Sequence, residues 1–150
     1  MSQFIEPYVK PVEMLFPDGA MAIGKFLIWD NDNDNPKLAR VTLQFLERQL
    51  SSRNASFQIA LRDIRGQLER DGILIRCYGC SRNVWASSMS GSMGRGVRAY
   101  KCFLGKKGDR RDLISIFDSG PDVDPCTLKD QEEFHKRWLA SIANPSERRH

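Results

Sequence analysis

The spacing of apolar residues changes along this 150-residue chain, and the change limits the folds that the chain can adopt. Between residues 37 and 70, apolar side chains recur three or four positions apart, which is typical of helices with one buried face. Between residues 73 and 117, short runs are rich in β-branched and aromatic residues, which favour strands. A run of helices followed by a run of strands predicts an α+β fold.

Three helices are predicted from the sequence. The first covers residues 37–51, with Asn35 as its N-cap and Pro36 at its first position, and the second covers residues 55–70. Only three residues separate them, so the two are expected to form an antiparallel helical hairpin. The third helix begins at Thr127, whose hydroxyl is expected to cap it.

Five strands are predicted, at residues 12–16, 20–29, 73–78, 97–104 and 112–117. The last two are separated by a short polar loop and are expected to pair as a hairpin. The sheet is expected to be antiparallel or mixed, with three to five strands, and the three helices are expected to cover mainly one of its faces. Residues 1–150 are expected to form a single α+β domain, with an irregular arm at 1–19 and a flexible tail at 146–150.

The composition bears on where the protein works. The longest apolar run, residues 26–29, is far shorter than the roughly 18 residues of a membrane span, so no membrane partner is expected. Residues 1–6 lack the basic and apolar stretches of a signal peptide. A cytoplasmic location is therefore expected, where cysteines are thiols or metal ligands rather than disulfides.

The four cysteines include one close pair. Cys77 and Cys80 have a two-residue spacing, which lets both thiolates reach one zinc ion, but Cys102 and Cys126 are not paired in sequence. The close pair follows a strand instead of opening a helix, which disfavours a reactive redox motif. The favoured interpretation has no cofactor, with Cys77 as a small buried apolar residue and Cys80 in a turn. A structural zinc bound by all four cysteines is the alternative.

The most unusual stretch is residues 87–96, which holds four serines and three glycines. A glycine-rich loop can cradle a phosphate, but the nucleotide-binding loops run from a strand into a helix, and here a strand follows. Met89 and Met93 lie in the same stretch. Adaptable methionine side chains in a loop suit protein recognition.

A basic segment follows directly. Seven Lys or Arg residues and one Asp lie between residues 95 and 111, so this segment carries +6 while the whole chain carries +4. Such a concentration of charge in a predicted hairpin suits an acidic protein surface or a nucleic acid. A charged sheet edge that resists aggregation is the simplest alternative.

The sequence has no catalytic signature. It contains two histidines, His135 and the terminal His150, and no serine lies in a nucleophile-elbow or Ser-x-x-Lys pattern. We therefore expect a non-enzymatic binding protein, such as an adaptor, accessory or inhibitor subunit. It would bind an acidic surface of another protein through the Ser/Gly/Met loop and the basic hairpin. Nucleic-acid binding by the same hairpin is the alternative function.

Specific residues follow from each function. Those predicted to bind a protein partner are Arg82, Trp85, Met89, Met93, Arg95, Arg98, Lys106, Lys107 and Arg111. Those predicted to bind nucleic acid are Arg95, Arg98, Tyr100, Lys101, Phe103, Lys106, Lys107, Arg110 and Arg111. Strand alternation predicts that Arg98 and Lys101 lie on opposite faces, and the two aromatic residues of this set are able to stack on bases.

Overall fold

The structure is a computed structural model that describes residues 6–32, 34–86 and 94–143. These residues form two antiparallel sheets and two α-helices, so the prediction of an α+β fold is confirmed. The larger sheet contains β1 (Tyr8–Leu15), β2 (Met21–Trp29), β3 (Ala39–Phe45), β4 (Arg48–Asn54) and β5 (Leu74–Arg76). Its strands pair in the order β4-β3-β2-β1-β5.

The smaller sheet and the helices complete the fold. The smaller sheet contains β6 (Val84–Trp85), β7 (Arg98–Lys101) and β8 (Leu113–Ser115), with β7 in the middle. The helices are α1 (Phe57–Glu69) and α2 (Leu128–Ile142). The predicted hairpin of the last two strands is confirmed, because β7 and β8 pair antiparallel.

The predicted helix at residues 37–51 is wrong, because this segment forms β3 and most of β4. The buried apolar side chains of β3 lie two positions apart: Ala39, Val41, Leu43 and Phe45 are each at most 2% exposed. The apolar residues of this segment therefore fit the period of two that marks a strand as well as the three- and four-residue spacing that predicts a helix.

The turn between β3 and β4 explains why the hairpin was missed. The two residues that connect the strands are Leu46 and Glu47, and Leu46 adopts a positive φ of 51°. Tight hairpin turns usually carry Asn, Asp or Gly, so this turn has no signal in the sequence. The expected helical hairpin is therefore corrected to a strand hairpin followed by α1, and the expected three helices are corrected to two among the described residues. Asn35 and Pro36 lie in the connection before β3 instead of capping a helix.

The helix predicted at residues 55–70 is confirmed as α1. The Ser56 hydroxyl accepts a hydrogen bond from the N–H of Gln58 (3.1 Å) and caps the N-terminus. At the other end, the N–H of Ile73 donates to the carbonyl of Leu68 (3.1 Å), and Gly72 adopts a φ of 73°. This is the Schellman arrangement, in which a glycine in the left-handed region ends the helix.

The N-terminal segment is more regular than expected. β1 begins at Tyr8, so a strand occupies much of the segment 1–19 that was expected to be irregular. β5 pairs with β1 only from Glu13 to Leu15, so Pro11 lies where β1 has no neighbour on that side. Proline is tolerated at such a sheet edge because the missing N–H breaks no ladder bond. The expected flexible tail at 146–150 lies outside the described residues.

The core lies between α1 and one face of the larger sheet. Phe117, just after β8, packs edge-on against Phe26 of β2 (5.1 Å between ring centroids) and Phe57 of α1 (5.8 Å). The chain that leaves the smaller sheet therefore closes the core before it turns into α2. Among the described residues, neither helix is long and apolar enough to cross a bilayer.

Two glycines, one inside α1 and one just after its end, give a matched test of this structure. Gly72→Ala is expected to destabilise the protein by about 1–2 kcal/mol, because alanine is strained at a positive φ and its Cβ would lie 2.7 Å from Cγ of Pro17. Gly66→Ala, inside α1 with no atom within 4 Å of the added Cβ, is expected to stabilise it by up to about 1 kcal/mol. Urea unfolding measures both, and shifts of the same sign would contradict the assigned helix end.

Candidate functional site

A buried polar cluster joins α1, α2 and the segment between β5 and β6. Arg65 of α1 is only 3% exposed. Its guanidinium donates to the side-chain oxygen of Gln131 in α2 (2.6 Å) and to the carbonyl of Cys126 (2.9 Å). Its Nε lies 3.6 Å from the carboxylate of Glu69, which also accepts from the N–H of Leu128 at the start of α2 (3.0 Å). The positive charge is thus neutralised and hydrogen-bonded where water cannot reach it.

Gln131 extends this cluster to the backbone that leads into β6. Its amide nitrogen donates to the carbonyls of Gly79 (3.0 Å), Ser81 (2.8 Å) and Val84 (2.9 Å). A side-chain amide carries two N–H groups, so the three acceptors share them. One buried side chain of α2 therefore fixes the path of residues 79–84 and, with it, the position of Trp85.

Trp85 borders an open groove of about 440 Å³, which we call the aromatic groove. Its floor is formed by β6 and β7, which carry Trp85 and Tyr100 opposite each other, and one wall is formed by α2. It is lined by Trp85, Ala86, Tyr100, Cys102, Gly108, His135, Trp138 and Leu139. On its inner side Trp85 also borders a cavity of about 80 Å³ beside Arg65, which is too small for most ligands since these occupy roughly 300 Å³ or more.

Three rings stack along the aromatic groove. The imidazole of His135 lies 4.0 Å from the Trp85 ring at an interplanar angle of 9°, and 5.7 Å from the Trp138 ring at 26°. Burial lowers the pKa of His135, and within the described residues its buried Nδ1 has no hydrogen-bond partner. The neutral imidazole is therefore favoured, and the stack presents an apolar surface near neutral pH.

A basic loop, residues 102–112, closes one end of the aromatic groove. The indole N–H of Trp138 donates to the carbonyl of Lys106 (2.9 Å), and the Ser141 hydroxyl accepts from the N–H of Gly105 (2.8 Å). These bonds attach the loop to α2. The side chain of Leu139, 46% exposed, stands at the same edge of the groove. The structure thus places cationic side chains next to an apolar, aromatic surface.

Several of the predicted cations bind groups of this chain. Arg95 donates to the carbonyls of Asp30 (2.8 Å) and Pro36 (3.1 Å), which ties it to the connection between β2 and β3. Lys101 forms an ion pair with Asp122 (2.8 Å). Both residues therefore hold the fold together at their present positions, instead of standing free for a partner.

Two more predicted cations have intramolecular partners. Arg111 pairs with Asp109 (2.6 Å) inside the basic loop, and Arg82 pairs with Asp124 (2.9 Å). The hydrogen bond from Arg111 lowers the pKa of Asp109 to about 2. These pairs are exposed, so each contributes little to stability and a competing partner can replace it.

The remaining predicted residues lie on β7, in the basic loop or outside the described residues. Arg98 is exposed and two positions from Tyr100, so both lie on one face of β7, whereas Lys101 lies on the opposite face as predicted. Arg98, Lys106, Lys107 and Arg110 are exposed, and none has an ion pair within the described parts of the chain. Phe103 is 43% exposed in the basic loop. Met89 and Met93 lie outside the described residues.

The cysteines do not all come together. The Sγ atoms of Cys77 and Cys80 are 3.6 Å apart, and Cys126 lies beside them, with its Sγ 3.8 Å from the Cys80 carbonyl oxygen. Cys102 lines the aromatic groove instead, where burial raises its pKa to about 11 and keeps the thiol neutral. Over residues 6–32, 34–86 and 94–143, no three His, Cys, Asp or Glu side chains are arranged to hold a metal ion.

Sequence reasoning missed five residues of this region. Arg65 and Gln131 were not singled out, although each is a polar residue at a buried position on its helix. His135, Trp138 and Leu139 were not predicted as site residues either, although all three line the groove. A charged residue inside an apolar helical stripe was the available signal, since such a residue is buried only when it is paired.

Comparisons with known proteins do not identify the chain. No protein-family model matches the sequence, and no curated protein matches it significantly. The function therefore has to follow from the chemistry of the groove and its surroundings.

Removing the guanidinium from the buried cluster tests its role. Arg65→Met is expected to destabilise the protein by about 3 kcal/mol or more, because the Gln131 oxygen and the Cys126 carbonyl lose their donor. Arg62→Met, on the same helix, removes an ion pair with Glu132 whose side chains are 46% and 45% exposed, and is expected to cost less than about 1 kcal/mol. Urea denaturation compares the two, and equal midpoints would contradict the role of Arg65.

The half-buried imidazole of His135 predicts a pH dependence of stability. The pKa of His135 is lowered in the folded protein, so the folded state binds fewer protons than the unfolded state once the pH falls below about 6.5. The stability that depends on neutral His135 is complete above that pH. It is lost as the pH falls from the unfolded pKa through the lower, folded pKa.

A variant separates this contribution from other titrations. The urea midpoint of the unmodified chain is expected to decrease as the pH is lowered from about 7.5 to about 5.5. His135→Leu is expected to make that decrease smaller. The control is His150→Leu, at the terminus. An unchanged pH dependence in His135→Leu would show that His135 titrates normally.

Proposed function

We propose that this protein is a non-enzymatic binding protein whose aromatic groove takes a segment of another protein that carries both apolar and acidic side chains. The observation that supports this most directly is the open groove beside an exposed basic loop. Aromatic side chains dominate binding energy at protein interfaces, and surrounding charges select the partner and speed its association. A groove of about 440 Å³ has room for one or two side chains of such a segment.

The charge distribution favours a protein segment over a nucleic acid. Of the seven cations between residues 95 and 111, Arg95 and Lys101 bind acceptors elsewhere in the chain, which leaves five, including Arg111, whose exposed pair with Asp109 a competing partner can replace. A few cations at a groove rim suit two or three carboxylates of a peptide. A phosphate backbone is usually bound by a larger set of free cations.

The geometry of the stacked rings also favours a protein segment over a nucleic acid. Base stacking requires aromatic faces that are open to the base. Here His135 already lies parallel to Trp85, so their facing sides are stacked on each other. The face of Trp85 that meets His135 is therefore closed to a base, whereas apolar side chains of the groove, such as Leu139, suit an apolar side chain of a peptide.

Selection from a random peptide library displayed on phage tests the proposal. Peptides that combine an apolar or aromatic residue with Asp or Glu are expected to be enriched on the protein. Leu139→Glu puts a negative charge at the groove edge and is expected to weaken the binding of a selected peptide at least about tenfold, since like charges at an interface repel. The matched control is Ile59→Glu on α1, because Ile59 is 47% exposed and Leu139 is 46% exposed.

Three results would contradict this proposal. One is the failure of any peptide to be enriched, and another is equal binding by the Leu139→Glu and Ile59→Glu variants. The third comes from titrating labelled single- and double-stranded oligonucleotides at low and moderate salt. Tight binding that weakens steeply with salt, and that is lost when Lys106, Lys107, Arg110 and Arg111 are changed to Glu, would support nucleic-acid binding instead.

A further inference from the structure

Cys77 and Cys80 are placed for a reaction that the aromatic groove does not use. Their sulfur atoms are 3.6 Å apart, the Cys77 thiol donates a hydrogen bond to Cys80, and both residues are at most 1% exposed. A disulfide bond is about 2.05 Å long, so the two sulfur atoms have to approach by about 1.5 Å to close it. We propose that Cys77 and Cys80 form a reversible intramolecular disulfide in the folded protein, with a small-molecule disulfide as oxidant.

The backbone between the two cysteines is held by several neighbours. The N–H of Tyr78 donates to the Asp118 carbonyl (2.8 Å), and the N–H of Gly79 donates to the Ile116 carbonyl (2.9 Å). Across the turn, the N–H of Cys80 donates to the Cys77 carbonyl (3.0 Å). In the unfolded chain the two thiols have to be brought together at a cost in entropy, whereas the folded chain holds them in contact.

Close packing holds the backbone of this turn against the core in the native state. A Cβ on Gly79 would lie 2.7 Å from Cδ2 of Leu61 and 2.8 Å from Cβ of Ile116, so the backbone of the turn touches the core directly. The Gly79 carbonyl also accepts from Gln131 (3.0 Å). The sulfur atoms therefore stay near each other for as long as the buried cluster around Arg65 is intact.

The electrostatics assign the roles of the two thiols. Burial raises the pKa of Cys77 well above its usual value. Burial also opposes ionisation of Cys80, but the hydrogen bond donated by Cys77 and the charge of Arg65 outweigh it and lower the pKa of Cys80. Cys80 is thus the first nucleophile of the pair, because the thiolate is the attacking species.

The exchange balances in two steps. The Cys80 thiolate attacks one sulfur of the small-molecule disulfide, which forms a mixed disulfide and releases one thiolate. Cys77 then loses its proton and attacks the Cys80 sulfur, which closes the protein disulfide and releases a second thiolate. The two protons from the cysteines convert both leaving groups to thiols, so two electrons pass from the protein to the oxidant. Because both sulfurs are buried, the first step needs a local opening and is slow.

The other cysteines are worse partners for this reaction. The Cys77 sulfur lies 3.6 Å from the Cys80 sulfur, whereas the Cys126 thiol donates to the Cys80 carbonyl oxygen (3.8 Å). Cys102 is part of the aromatic groove, away from the pair. The proposal therefore specifies one pairing, and it does not depend on the function proposed for the groove.

Peptide mapping tests the pairing directly. The full chain is equilibrated with oxidised and reduced glutathione at a series of ratios, quenched with acid, alkylated and digested with trypsin. Cleavage after Arg76 and Arg82 leaves both cysteines in one peptide, residues 77–82, whereas Cys102 and Cys126 fall in the peptides 102–106 and 112–129. The expected product is peptide 77–82 with two hydrogen atoms fewer and no alkylation. A variant with Cys102→Ser and Cys126→Ser is expected to give the same product.

A second titration shows whether the fold positions the thiols. The same equilibration in concentrated urea is expected to give an equilibrium constant for disulfide formation at least about tenfold smaller, which corresponds to about 30 mV for a two-electron couple. Three results would overturn the proposal: a cross-link from peptide 77–82 to another cysteine, a persistent glutathione adduct, or an equilibrium constant no larger in the folded protein than in urea.

Discussion

The buried guanidinium of Arg65 is the interaction on which the rest of the candidate site depends. A charge that is taken out of water must be paired, and an unpaired one costs several kcal/mol. Arg65 meets this demand with groups from three parts of the chain: Glu69 of α1, Gln131 of α2 and the carbonyl of Cys126. Gln131 in turn binds three carbonyls before β6. Moving α2 away from α1 would leave several polar groups buried without partners, so their relative positions are fixed.

The aromatic groove and the cysteine pair are two consequences of this one cluster. On one side, the fixed segment 79–84 positions Trp85 in the groove, where its ring stacks on His135 of α2. On the other side, the same backbone carries Cys77 and Cys80 and keeps their sulfur atoms in contact. The proposed binding surface and the proposed redox site are therefore supported by the same hydrogen bonds, even though they perform different chemistry.

Local sequence signals were sufficient for parts of the fold. The apolar stripe and the Gly72 that follows it located α1, and Thr127 located the start of α2. They failed at residues 37–54, where the apolar residues fit both a helical spacing and the alternation of a strand. The turn at Leu46 and Glu47, which decides between the two, has no residue that marks a turn. Pairing with β2 and burial against α1 settle the choice, and both are contacts between distant parts of the chain.

The sequence alone determined that the chain is an α+β protein, that its cations are concentrated between residues 95 and 111, and that two cysteines lie close together. These properties depend on composition and on short-range spacing. Only the tertiary structure decided which cationic side chains bind carbonyls and carboxylates of the chain. It also decided that the rings of Trp85, His135 and Trp138 stack. The physical reason is that burial, ion pairing and ring stacking depend on distances between residues up to about a hundred positions apart in the chain, and no local pattern encodes those distances.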